Sequence, residues 1–498
     1  MTRIHIGIVA TALALGSPAV AGAQERLAGS VRSEQKAIEV PGVGTLTVSL
    51  GFLTVPENRS ERGSRLIEVA FLRIPARPGV AGPPLVYLAG GPGDAAISEH
   101  PEALRPWLPA LEGGDVILLD QRGTGRSIPN LRYGWRGPAP LTLFRSVDDG
   151  LRFVREVGES AAAHFRRRGV DLRGYTTVES ADDVNDLRKA LGAEKLNLLG
   201  FSYGTHLALA LVRRHGEHLE NVVLIGTEGP AHTWKLPSTF DVQWRKLSLM
   251  AAADPEIARR VPDLNALLAL VLARLDREPM LVTIPDPRTR TPLELPIGGD
   301  GLRYILRRDI GDASDLPVFP RLLYSIDRGD PTLLRWFVQR RYQLGAHVMS
   351  TVMDAASGVS PERLAAIEAE AARSPFRNAS NFPMPEDAAG MQAPDLGPGF
   401  RAPIVSGVRT LFVSGTLDWN TPPFQAEEVR WGFPNSSHII VKNAGHEQTL
   451  PHPAVQRALG LFLSGQSVDE ITAAWPPLRF VPIEGYDPGR THPSVPRP

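Results

Sequence analysis

Short apolar runs recur along the first half of the chain, most of them closed by glycine, proline or a charged residue. From Val43 the alternation Thr45-Leu46-Thr47-Val48-Ser49-Leu50 predicts a strand running on towards Pro56, and residues 67–74 alternate likewise. Leu85–Leu88 and Val116–Leu119 are apolar throughout, as are most positions of Leu196–Phe201 and 221–226, the form taken by strands buried on both faces. Helical spacing separates them around residues 99–111, over 180–191 with Ser180 as the capping residue, and from 207 to 212. Buried strands alternating with helices predict an α/β fold, a mostly parallel, doubly wound sheet with helices on both faces.

Around Pro230 the rhythm changes. Residues 230–402 are mainly helical in spacing, most clearly over 264–275, 316–327, 331–345 and 361–373, and one hairpin, 281–284 against 293–297, interrupts them. This block reads as a large helical cap inserted after the sixth strand. The earlier rhythm resumes with a strand at Arg409–Gly415, a helix over 423–431, a strand at 438–441 and a helix at Pro453–Leu463. The expected organisation is therefore a core in two parts, 24–229 and 403–465, around a cap over 230–402. Residues 24–40 are expected to be a mobile lead-in, and the Pro-rich tail 466–498 to be loosely packed.

Composition narrows the partners. Lys+Arg and Asp+Glu both number 54, so the formal net charge is zero and no basic surface for nucleic acid or anionic membrane is expected. Residues 1–23 have the form of an export signal: Arg3, a short apolar run over 6–15, and the small residues Ala21-Gly22-Ala23. That run is too short to span a bilayer, so the expectation is a periplasmic or secreted chain, beginning near Gln24 and not inserted in the membrane. With no cysteine, neither a disulfide framework nor a lipid-modified cysteine is available.

The candidate chemistry lies where the strand Leu196–Phe201 meets a helix. Gly200-Phe201-Ser202-Tyr203-Gly204 matches the nucleophile elbow Gly-x-Ser-x-Gly, in which a serine occupies a strained turn that side chains at the flanking glycines would block. Ser202 is the candidate nucleophile, and the Tyr203 N–H, at the start of a helix, a candidate oxyanion donor. A partner acid and base should follow late strands in that order. Asp418 comes shortly after Arg409–Gly415, and His446 five residues after Val441. A second oxyanion donor is expected in Gly90-Gly91-Pro92-Gly93, with Gly91 the first choice and Gly90 the alternative. Glu228, just after the strand 221–226, should emerge near Ser202, either to hold a substrate ammonium or to brace the root of the cap through an ion pair. Glu447, beside His446, is a second candidate for substrate binding. Spacing argues against metal or cofactor chemistry: position 450 is Leu where His-Glu-x-x-His would need His, and no phosphate or dinucleotide loop is present.

Together, Gly90-Gly91-Pro92-Gly93, Asp120-Gln121-Arg122-Gly123-Thr124-Gly125-Arg126-Ser127 and the elbow resemble the prolyl/tripeptidyl aminopeptidase family of α/β-hydrolases. Ser414-Gly415-Thr416-Leu417-Asp418 with Thr421-Pro422-Pro423 is similar to the C-terminal segment of its tripeptidyl branch. The resemblance implies an α/β-hydrolase fold and an exported serine exopeptidase that acts at free peptide N-termini without a cofactor. Two departures stand out. Ala89 occupies the place where the family usually has His, and Asp354 lies in a cap stretch where many secreted relatives carry cysteine. An esterase, lactonase or amidase acting on small molecules would use the same residues, and a non-catalytic binding protein could occupy the same scaffold.

Overall fold

The computed structural model describes residues 27–309 and 314–485; the expected export signal lies outside them. Its centre is a ten-stranded sheet in the order β1-β2-β3-β5-β4-β7-β8-β12-β13-β14. The strands are β1 (Val31–Val40), β2 (Gly44–Pro56), β3 (Leu66–Ile74), β4 (Leu85–Leu88), β5 (Val116–Leu119), β7 (Leu196–Phe201), β8 (Leu219–Ile225), β12 (Arg409–Gly415), β13 (Ser436–Lys442) and β14 (Ala473–Ala474). Two-stranded sheets pair β6 (Arg132–Gly134) with β11 (Gly345–His347), and β9 (Met280–Pro285) with β10 (Pro292–Ile297). The first three strands of the large sheet pair antiparallel, and every pairing from β5/β4 onward is parallel.

Alternate residues of each central strand enter different cores. Val86, Leu88, Leu198 and Leu224 pack with the helices Thr177–Ala190 and Tyr203–His215, whereas Leu85, Leu199, Val223 and Val413 face the helix Pro453–Leu463. Covering on both faces explains why these strands read as largely apolar runs rather than as alternating ones. A third core, separate from the sheet, joins Phe240, Leu272, Leu295, Phe319 and Phe337. Leu417 and Trp419, which flank Asp418, are part of it, so the block 230–402 is welded onto the loop that carries the candidate acid.

Several expectations are corrected. Residues 31–40 are not a mobile lead-in but the strand β1, paired in register with β2 from Val31↔Leu53 to Val40↔Gly44; the insertion therefore follows the seventh strand of the large sheet. Five of its first six residues are exposed and only Ile38 and Val40 are buried, so the strand lacks the alternation that would have marked it. The helix expected from Ser180 starts earlier, at Thr177, with Thr176 as the cap: its side chain accepts the Glu179 N–H in the Ser/Thr-x-x-Glu pattern. Ser180 is instead buried in the helix interior. The expected helix 331–345 stops at Arg341, and its last residues turn into β11. The helix Val147–Arg167 has no counterpart in the sequence reading. The tail is better packed than expected: β14 extends the sheet beside β13, and Leu478, Phe480, Val481 and Ile483 close one side of the third core.

Candidate active site

β7 ends at Phe201 and the helix Tyr203–His215 begins immediately after Ser202, which holds φ 54° and ψ −126°. That is a strained backbone for a residue with a Cβ. The glycines around it are sterically required. A Cβ on Gly200 would stand 2.4 Å from the Gly204 carbonyl oxygen, and one on Gly204 would stand 1.9 Å from that of Leu88. The turn is tied to the neighbouring strand, since the Ser202 N–H donates to the Ile225 C=O at 2.9 Å. Thr205 locks it from the helix side, donating its N–H and its hydroxyl to the Ser202 C=O at 2.8 and 2.6 Å.

Asp418 and His446 meet at the same end of the sheet. His446 Nδ1 lies 2.7 Å from Asp418 Oδ2, and the Thr421 hydroxyl and N–H donate to the same carboxylate at 2.6 and 3.0 Å. The imidazole packs beside Phe201, ring centroids 5.0 Å apart, and its Cε1 lies 3.1 Å from where a Cβ on Gly226 would be. Gly226 directly follows the residue that accepts the Ser202 N–H, so the serine and the imidazole flank the same strand ends. Burial opposes the charge on Asp418, but the facing imidazole and the hydrogen bonds from His446 and Thr421 hold its carboxyl below the usual range. A carboxylate can only accept, so Nδ1 carries the proton and Nε2 is left as the basic nitrogen.

Burial also opposes charge on His446; the Asp418 carboxylate outweighs it and raises the imidazole above its ordinary value. The sign is clear: the proton leaves His446 later than it leaves a free histidine, and an imidazole serving as a base must first lose it. The acid limb of a kcat/KM profile should therefore fall above the ordinary pKa of about 6.5. A limb at or below that value in steady-state rates on an unhindered ester would contradict the geometry.

The loop after β4 lies against the serine. A Cβ on Gly90 would come within 3.0 Å of Ser202 Cβ and 3.2 Å of the Phe201 carbonyl oxygen, and Gly91 adopts φ 106°. Tyr203 contributes to this region only its backbone; its ring is buried, with its hydroxyl 2.9 Å from Thr177 Oγ1 and 2.7 Å from Met353 Sδ. From above, Ser350 donates its hydroxyl to the Pro92 C=O, and His347 Nδ1 lies 3.4 Å from a Cβ position on Gly93. A cavity of about 430 Å³ opens beyond His347, lined among others by Phe144, Val157, Tyr304, Phe382 and Asp387.

Glu228 does emerge beside the elbow, its N–H bonded to Thr205 Oγ1 at 2.7 Å. Its carboxylate is occupied: Oε2 meets Lys235 Nζ at 2.6 Å, both side chains being about nine-tenths buried. Lys235 is held in turn by Asn381, which accepts its N–H at 2.7 Å and donates to its C=O at 2.8 Å. Nothing in the sequence pattern singled out Lys235, because its partner lies seven residues away across a bend. Glu447 is exposed next to His446. Asp354 sits near this group, its carboxyl pushed well above the usual range by burial and then by the charges of Glu228 and Asp387. Among the described residues, no three His, Asp or Glu side chains converge as metal ligands would, and no helix is long and apolar enough to cross a membrane.

An open, mostly parallel sheet with a strained serine at one strand end, and a histidine–aspartate pair beside it, defines a class. The chain belongs to the alpha/beta hydrolase fold family, which matches residues 83–453. Among curated proteins it is similar to a tripeptidyl aminopeptidase of Streptomyces lividans, 27% identical over 197 residues. It is also similar to the serine protease Hip1 of Mycobacterium tuberculosis, 30% identical over 211 residues, and to a proline iminopeptidase of Xylella fastidiosa, 27% identical over 145. These alignments span 37%, 40% and 29% of this chain, and 36%, 39% and 32% of the respective relatives. The protein is thus an α/β-hydrolase similar to proteins named as peptidases.

Proposed function

We propose that the protein is an exported serine exopeptidase of the prolyl or tripeptidyl aminopeptidase type. The observation that carries the serine mechanism is Ser202, strained at the strand–helix turn, with the His446–Asp418 pair beside it. In this reading Ser202 Oγ attacks the scissile carbonyl carbon and its proton passes to His446 Nε2. The Tyr203 N–H and one from Gly90 or Gly91 hold the oxyanion, Asp418 stabilises the imidazolium, and the departing amine takes the proton back. Water then repeats the sequence on the acyl-enzyme. The choice of peptide substrates is supported by the names of the relatives and by the block 120–127. The pattern of residues 1–23, which has the form of an export signal, supports the location.

An esterase or amidase would use the same machinery, so the test is the substrate amine. Prolyl, alanyl and tripeptidyl reporters with a free N-terminus should be turned over, and their N-acylated counterparts should not. Equal rates on both forms would move the assignment to the esterase reading. Failure of a fluorophosphonate to label Ser202 would leave only the non-catalytic one.

For Glu228, the ion pair with Lys235 favours the bracing role over recognition of the ammonium. Glu228→Gln leaves the buried Lys235 charge without its counter-charge, a loss of up to about 3–5 kcal/mol. The expected result is a lower melting temperature, with free-amine peptides and neutral esters losing activity in the same proportion. A selective loss on free-amine substrates at unchanged stability would return Glu228 to substrate binding.

A further inference from the structure

The block 120–127 follows β5, immediately beside β4, and so lies against the loop that leaves β4 at Ala89. It grips that loop at both ends. Gln121, buried, donates from Nε2 to the Ala89 C=O at 3.1 Å. Asp120, also buried, accepts the N–H groups of Ala96 and Ile97 on Oδ1, at 2.7 and 2.9 Å, and that of Arg126 on Oδ2 at 2.7 Å. A Cβ on Gly125 would stand 2.0 Å from Oδ2, so the turn closes around Asp120 only with glycine there. Arg122 anchors the block from behind. Its guanidinium is wholly buried, paired with Asp183 at 2.6 and 2.7 Å, and it donates to the carbonyls of Glu57 and Gly174 at 2.6 and 2.5 Å.

The grip on Ala89 bears on the serine through peptide planarity. The Ala89 C=O and the Gly90 N–H belong to one trans peptide unit and point in opposite directions. Holding the carbonyl on Gln121 therefore aims the Gly90 N–H away from Gln121, in the residue that abuts Ser202 Cβ, and fixes where the Gly91 peptide starts. Gln121 does this at a cost, since its Oε1 is buried without a partner among the described residues. A side chain serving only to fill space would carry no such orphan atom, because an apolar residue of the same shape avoids the desolvation.

We propose that Gln121 is a positioning residue for the oxyanion loop 90–93, with Asp120 holding its far end. This rests on the reading of Gly90 or Gly91 as an oxyanion donor. Gln121→Met keeps the length and removes the donor. Loss of a whole oxyanion donor lowers kcat by about a hundred- to a thousandfold, so a misaimed one should lower it by roughly ten- to a hundredfold. KM should hold, and affinity for a peptide aldehyde, which becomes tetrahedral on the serine, should fall by the same factor as kcat. The protein should stay folded at the assay temperature, its melting temperature lowered by no more than the loss of one buried hydrogen bond. Gln121→Glu, of the same shape but with an acceptor facing the carbonyl, should lose at least as much. Wild-type kcat and aldehyde affinity in Gln121→Met would overturn the proposal, as would a loss of activity that merely follows the folded fraction. A wild-type protein that neither turns over esters nor reacts with fluorophosphonate would sink the serine mechanism itself, a result read before any variant is made.

Discussion

Ser202→Ala is expected to abolish turnover, by on the order of 10⁶ in kcat, with the fold intact. The substitution removes one oxygen from a residue whose backbone strain is maintained by its surroundings. The Ser202 N–H still binds the Ile225 C=O, Thr205 still locks the Ser202 C=O, and Gly200 and Gly204 still leave the room the turn needs. The hydroxyl itself makes none of these bonds. Stability should therefore match the wild type by thermal melting, while kcat on any ester or peptide falls to background. More than a few per cent of wild-type kcat in protein free of contaminating hydrolase would reject Ser202 as nucleophile.

Asp418→Asn should cost about 10⁴ in kcat, the size of effect seen when the acid of such a triad is neutralised elsewhere. The reason here is the direction of one hydrogen bond. Asp418 forces the proton onto His446 Nδ1, and it is held in place by two further donors from Thr421. An asparagine can turn its amide towards Nδ1 and donate. Nδ1 then accepts, the proton moves to Nε2, and the nitrogen that should take the serine's proton already has one. The same change removes the charge that raises the imidazole, so the residual activity should show its acid limb at lower pH than the wild type. A variant that keeps both its rate and its acid limb would place the functional acid elsewhere.

Much of the α/β core is legible because each central strand is covered on both faces and the elbow helix, buried at every position from Tyr203 to Val212, reads as apolar in the sequence. Leu85–Leu88, Val116–Leu119 and Leu196–Phe201 are marked off by their composition, and the hairpin expected over 281–284 and 293–297 is the β9/β10 pair. β1 is not so marked, because its outer residues are solvated and only its register with β2 makes it a strand. The helix cap at Thr176 is encoded locally in Thr176-x-x-Glu179, whereas Ser180, one turn further on, lies inside the helix.

The sequence by itself determined the elbow, because Gly200 and Gly204 permit a backbone that few other residues would, and the order in which Ser202, Asp418 and His446 follow their strands. It determined too that Glu228 would stand beside the elbow, since a strand end three residues away leaves little freedom. What Glu228 meets there was decided only by the tertiary structure. Lys235 reaches it because the chain bends back after Pro230 and Asn381, 146 residues further on, pins the lysine's backbone. The same holds for the tail, which contributes apolar side chains to a core formed mostly by residues 230–402, and for Gln121, whose target is set by the pairing of β4 with β5. Local sequence carries backbone preferences and burial patterns over a few residues. Which polar groups end up facing one another depends on how distant segments close over them, and no pattern along the chain encodes that.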